Sequence, residues 1–156
     1  MKPPFAFDVC HDLYLTAREI LDGVLHASEI ESRAKYLWRP DLRPRLAEYV
    51  ADFTLAGKHS LRAPELASRM ALFRVFFLGC AELHAARAHL GIGELTFEQW
   101  RDDVRDRVGR ELLRRKMFPP RDYFRDSICV AEDKAAKRGA AEKKGAVAGA
   151  RSAKRV

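Results

Sequence analysis

Residues 76–112 read FFLGCAELHAARAHLGIGELTFEQWRDDVRDRVGREL, and this stretch decides the fold. Gly91 lies where a short helix would end, because glycine adopts the left-handed backbone conformation without a steric cost. Thr96 is the predicted N-cap of a second, longer helix, since its hydroxyl can accept from a free N–H of the first turn. Beyond it, apolar residues recur at helical spacing along one face: Phe97, Trp100, Val104, Val108 and Leu112. The stretch therefore predicts a helix-turn-helix over about residues 81–113.

The same stretch resembles the C-terminal promoter-reading domain (region four) of bacterial RNA polymerase sigma factors, over about residues 70–112. The matching positions are an aromatic-aromatic-Leu helix end, a short helix, an LGI turn and a helix that opens with Thr and a hydrophobe: Phe76-Phe77-Leu78, Ala85-Ala86, Leu90-Gly91-Ile92, Thr96-Phe97, Val104 and Val108. The resemblance implies a bacterial transcription protein whose second helix enters the major groove of DNA. Residues 1–65 show no counterpart of the promoter-melting and polymerase-binding domain, so we do not expect a complete sigma factor.

The composition favours one globular domain. A chain of 156 residues with 47% hydrophobic residues is long enough for one core and too short for two ordinary domains. No apolar run approaches the roughly 20 residues that span a bilayer, and the N-terminus lacks the features of a secretory signal. We therefore expect a cytosolic protein without a membrane partner. The three cysteines, Cys10, Cys80 and Cys129, have neither zinc-site spacing nor the pattern of a disulfide framework, and Cys80 is expected in the core.

Helical periodicity extends beyond the central stretch. Residues 1–12 read as an arm, because Pro3 and Pro4 do not favour a helix start. Helices are predicted from about Asp12 to Arg33, from Pro44 to Gly57 and from Pro64 onward, with a short run at residues 34–38. No segment shows the alternation of a strand. The predicted fold class is all-α, a single bundle of five or six helices that contains the helix-turn-helix.

The C-terminal tail, residues 131–156, differs from the helical domain predicted for residues 1–130. It contains eight basic and three acidic residues, a net charge of +5 out of +7 for the whole chain, and it has no aromatic residue. Such a segment buries too little apolar surface to offset its ordering entropy, so it is predicted to be disordered. Flexible cations displace counterions from DNA, and the predicted backbone contacts are Lys134, Lys137, Arg138, Lys143 and Lys144. The alternative is a tail that only keeps the protein in solution.

The second helix offers candidates for base reading. Gln99 suits adenine, Arg101 and Arg105 suit guanine, and Thr96 opens the helix beside them. Acidic residues share this face, however, where sigma factors usually have Lys, Arg, Ser or Thr. The alternative is a solvated face on which Asp102 and Asp106 form ion pairs one helical turn away, with Arg105, Arg107 and Arg110.

Motifs for catalysis are absent from the sequence. The five histidines have no metal-ligand spacing, and there is neither a glycine-rich phosphate loop nor a nucleophile motif. We therefore expect no enzyme activity, no cofactor and no metal. The expected function is DNA binding, as a transcription regulator or nucleoid-associated factor. The alternative is a protein-interaction adaptor, either a homodimer or a partner of RNA polymerase, that does not read DNA sequence.

Overall fold

The computed structural model of the chain describes residues 2–23 and 43–125, and within these ranges it contains helices and turns but no strand. The chain divides into two compact units, and the first of them is Met1–Tyr123. Five α-helices follow one another in the described ranges: α1 (Pro3–Leu21), α2 (Arg43–Ser60), α3 (Ala67–Leu72), α4 (Leu83–Leu90) and α5 (Glu94–Arg114). Residues 120–125 are also helical. The predicted all-α class, with five or six helices, is confirmed.

Some predictions concern other parts of the chain. The run at residues 34–38, the end of the helix predicted to reach Arg33, and the boundary at residue 130 lie outside the described residues. The same holds for the tail and its predicted DNA contacts, Lys134, Lys137, Arg138, Lys143 and Lys144. All of these stay predictions.

The N-terminal segment is a helix, and the predicted arm is wrong. Helix α1 begins at Pro3, and proline is favoured there because the first turn does not need its missing N–H. Phe7 and Cys10 on this segment are fully buried, so packing holds it against the core. The helix ends at Leu21, and Gly23 follows in the left-handed region with φ +72°.

Helix α2 continues through Gly57, where the sequence predicts its end. Gly57 is buried, and a Cβ built on it would lie 2.0 Å from the ring of Phe73. The glycine is therefore explained by the close approach of that ring and not by a helix stop. The next element begins at Pro64, as predicted, with a 3₁₀ turn Pro64–Leu66 that leads into α3. A π-helix, Phe73–Leu78, continues α3.

Aromatic side chains from α1, α2 and the π-helix form the centre of the core. The rings of Phe7 and Phe77 meet edge-on with centroids 4.8 Å apart, and those of Tyr14 and Phe53 stack at 4.7 Å. Such pairs contribute roughly 0.5–1.5 kcal/mol beyond the burial of their area. His11 lies among these rings, and its Nε2 is 3.0 Å from the carbonyl oxygen of Phe77. The ring cluster thus ties α1 to both neighbouring elements.

Helix α5 packs along α1 and α2 through the predicted apolar stripe. Phe97, Val104, Val108 and Leu112 are buried, whereas Trp100 is half-buried. The backbones of α1 and α5 come close together at Gly109, where a Cβ would lie 2.0 Å from the carbonyl oxygen of Pro3. A glycine is therefore required for the two backbones to meet. The long helix serves as a central part of the core.

Two cysteines lie among the described residues. Cys80 is exposed, with φ +54°, in the turn after the π-helix, so its predicted core position is wrong. The physical reason is that the π-helix ends at Leu78, two residues before Cys80. Cys10 is the buried thiol, and burial raises its pKa to about 11.

Candidate nucleic-acid interface

Helices α4 and α5 are joined by a tight turn centred on Gly91. This residue has φ +66° and ψ 35°, as predicted for a glycine that ends a helix. Its N–H donates to the carbonyl of Ala88 at 3.2 Å, and the N–H of Ile92 donates to that of Arg87 at 3.2 Å. The two bonds form a Schellman motif, which satisfies carbonyls at the end of α4.

The start of α4 has a side-chain cap that the sequence analysis missed. The carboxylate of Glu82 accepts hydrogen bonds from the N–H groups of His84, at 3.0 Å, and Ala85, at 3.2 Å. These backbone hydrogen bonds lower the pKa of Glu82. The cap fixes the beginning of α4 next to the turn at Gly79 and Cys80.

The start of α5 corrects the prediction for Thr96. The N-cap is Gly93, with φ −78° and ψ 174°, and no side chain caps this end. The carbonyl of Gly93 accepts from the N–H of Phe97 at 3.0 Å, so the helix has already formed when it reaches Thr96. Thr96 is a half-buried residue of the first turn. The predicted N-cap is wrong because the helix is capped three residues earlier, at Gly93.

The predicted base-reading residues of α5 have different surroundings. Gln99 is exposed, and Arg101 is half-buried without an ion pair among the described residues. Arg105 instead reaches α1, where its Nε donates to Asp8 Oδ1 at 2.9 Å and its Nη2 to the second carboxylate oxygen. Its Nη1 donates to Asp102 at 3.1 Å. The hydrogen bond to Asp8 is the main reason that the pKa of Arg105 is raised.

Carboxylates engage the other arginines on the second half of α5. Asp106 pairs with Arg110 at 3.0 Å, as predicted, whereas Arg107 pairs with Asp103 at 2.9 Å. Glu111 accepts from both Arg114 and Arg115.

The first half of α5 is acidic. Residues 94–106 contain five acidic and two basic residues, a net charge of −3. A negative first half is unfavourable for a helix that lies beside phosphates.

Helix α4 and the turn have the opposite charge pattern. No acidic residue occurs from Leu83 to Gly93, while His84, Arg87 and His89 all lie there. A shallow, open depression of about 390 Å³ is lined by His84, Arg87, Ala88, Gly91 and Ile92. The sequence analysis does not predict this group, because its histidines lack the spacing of metal ligands. The available signal was the absence of acids over eleven residues of a chain with 22 of them.

Arg87 is the polar centre of the depression. Its Nε atom is shielded from solvent and has no hydrogen-bond acceptor. Within the described ranges, its guanidinium forms neither an ion pair nor a hydrogen bond, unlike Arg105 on α5. Leaving such a donor unsatisfied costs roughly 1–3 kcal/mol. Because this Nε is shielded, an anion in the open depression would reach it only after the side chain rotates.

No family model matches the chain, and neither a curated protein nor a solved structure is similar to it. The resemblance to region four of the sigma factors therefore stays a prediction. Among the described residues, no helix has the length and hydropathy needed to cross a bilayer. The same residues contain no group of three or more potential metal ligands.

Proposed function

We propose that the protein binds DNA, as a transcription regulator or nucleoid-associated factor of the helix-turn-helix type. The observation that carries the proposal is the distribution of basic residues in the sequence, before and after the acidic first half of α5. The tail has a net charge of +5, and the segment from Leu83 to Gly93 contains Arg87, two histidines and no acidic residue. Both are suited to binding phosphates, because basic side chains that neutralise phosphates release the condensed counterions of the DNA.

The proposed mechanism divides the work between three parts of the chain. The tail holds the phosphate backbone without sequence preference, since phosphate contacts position a protein but carry no sequence information. Helix α4 lies across the backbone, and the turn at Gly91 sets the orientation of α5. Gln99 and Arg101 are the residues available for base edges, whereas Arg105 stabilises the packing of α5 on α1 through Asp8. We therefore expect weak sequence preference and strong salt dependence.

The test is fluorescence anisotropy of a labelled DNA duplex with the full chain over a series of salt concentrations. One variant replaces three tail cations with Gln: Lys134, Lys137 and Arg138. Its matched control replaces three exposed cations of the helical unit with Gln: Lys58, Arg62 and Arg121. Log affinity falls with log salt concentration, and each lost phosphate contact reduces the steepness of this fall by about 0.9. The slope of the tail variant should therefore be shallower by up to about 2.7. Equal slopes for the two variants, or no binding by the full chain, would contradict the proposal.

A second candidate function is supported by the exposed face at the start of α5. This face combines acidic residues with Leu95, whose exposed fraction is 69%. A protein-interaction adaptor, either a homodimer or a partner of RNA polymerase, would use such a face. The substitution Glu98→Lys separates the two functions. DNA affinity should rise if α5 lies near phosphates, whereas an adaptor would keep its DNA affinity and lose self-association in sedimentation velocity.

A further inference from the structure

The depression beside Gly91 combines a cation with an open approach. The residues that line it include His84 and Arg87 from α4. Gly91 is exposed, and no other atom lies within 4 Å of the position that a Cβ would occupy. Because glycine has no side chain, the backbone of the turn is open to solvent here. A bulky ligand that projects a single charged group can therefore approach α4 at this point.

The chemistry of the depression selects an anion. Arg87 forms no ion pair with another described residue, and the nearest acidic residue before it in the chain, Glu82, already accepts from the N–H groups of His84 and Ala85. Guanidinium is a rigid fork of donors whose geometry matches two oxygens of one phosphate. The shielded Nε of Arg87 has no acceptor, so side-on binding of two oxygens after a small rotation of the side chain would satisfy it.

We propose that this depression binds one phosphate group of a nucleic-acid backbone, with Arg87 as the principal donor and His84 as the second. The proposal rests on the proposed function and moves the main DNA contact of the helical unit from α5 to α4. Because the depression is shallow and open, it suits a phosphate presented on the convex surface of a duplex. Arg105 cannot serve in the same way, because Asp8 and Asp102 already occupy its donors.

The test uses the full chain with Arg87→Gln and, as a matched control, Arg74→Gln. Arg74 is an exposed arginine of the π-helix without an ion pair in the described ranges, so both variants lose one charge. In anisotropy titrations with duplex DNA, Arg87→Gln should make the slope of log affinity against log salt shallower by about 0.9, whereas Arg74→Gln should leave it unchanged. Equal slopes for the two variants would overturn the site. Arg87→Lys should retain the slope but bind more weakly, because lysine lacks the fork.

A second measurement separates the site from the proposed function. Inorganic phosphate should shift the amide resonances of Gly91 and Ile92 in the wild-type protein and leave them unmoved in Arg87→Gln. If phosphate acts in this way and the full chain does not bind DNA, the anion site stands and the proposed function fails. If the chain binds DNA and phosphate shifts neither amide, or shifts both equally in Arg87→Gln, the function stands and the site is overturned.

Discussion

Helices α4 and α5 use arginine in opposite ways. On α5, Arg105 spans to Asp8 of α1, and Arg107 pairs with Asp103 of its own helix. On α4, Arg87 has no acceptor within the described part of the chain, and Ala86 is the buried residue of that helix. An arginine whose donors are satisfied contributes to folding, whereas one whose donors are unsatisfied is available to a ligand. The contrast indicates that α5 serves mainly the core and α4 mainly the surface.

The largest expected difference between the two regions is in stability. Phe53→Ala removes a fully buried ring from the aromatic cluster and should lower the free energy of unfolding by about 3–5 kcal/mol. Leu83→Ala on α4 removes a side chain that is 39% exposed and should change it by less than about 0.5 kcal/mol. Urea denaturation followed by circular dichroism measures both. Similar losses for the two variants would show that α4 is as much a part of the core as α2.

The backbone contact between α1 and α5 gives the next effect. Gly109→Ala would place a methyl group 2.0 Å from the carbonyl oxygen of Pro3, and the forced shift should cost about 1–3 kcal/mol. Gly93→Ala is the control, since its Cβ would meet nothing within 4 Å, and the loss of an N-cap glycine should cost less than about 1 kcal/mol. Thermal unfolding of both variants provides the comparison. A Gly109→Ala protein as stable as the wild type would mean that the helices do not approach this closely.

The buried histidine of α1 should make stability depend on pH. Burial lowers the pKa of His11, against the raising effects of its hydrogen bond to Phe77 and of Asp12 and Asp8. The unfolded chain then binds a proton before the folded one, so stability should fall as pH drops through about 6.5. Denaturant titrations at pH 7.5 and 5.5 should show this loss in the wild type and in His84→Gln, a histidine of α4. A loss of the same size in His11→Gln would contradict the assignment.

A smaller effect is expected near the end of α5. Hydrogen bonds from Arg114, and then Arg115, lower the pKa of Glu111 to about 2. Because the folded pKa is depressed, the stabilisation is present above about pH 4.5 and is lost as pH falls towards 2. Arg114 is largely exposed, so solvent screening keeps this contribution to stability small. Acid titration of Glu111→Gln should lack this part of the loss. An unchanged titration would assign it to other carboxylates.

Local patterns predicted much of this fold. Residue spacing alone predicts the buried stripe on α5. The steric freedom of glycine predicts that the shorter helix ends at Gly91 in the left-handed conformation. The start of α1 was not, because Pro3 and Pro4 are compatible both with an arm and with a first helical turn. Burial of Phe7 decides between the two, and burial depends on elements distant in the sequence.

The candidate site was less predictable for the same reason. Arg105 has the spacing of a base-reading residue, but its partner Asp8 is 97 positions away in the chain. Likewise, the Thr96 hydroxyl suits an N-cap, but the backbone at Gly93 determines where the helix begins. Arg87 is distinguished by the lack of a partner, which only a tertiary structure can show.

The central claim is that α4, and not α5, makes the main contact of the helical unit with DNA, and mapping of amide resonances tests it most directly. Duplex DNA would be titrated into the full ¹⁵N-labelled chain at moderate salt. We predict the largest shifts for the amides from Leu83 to Gly93, with much smaller shifts along residues 98–106 of α5. Large shifts along residues 98–106 with Leu83 to Gly93 unmoved would contradict the account.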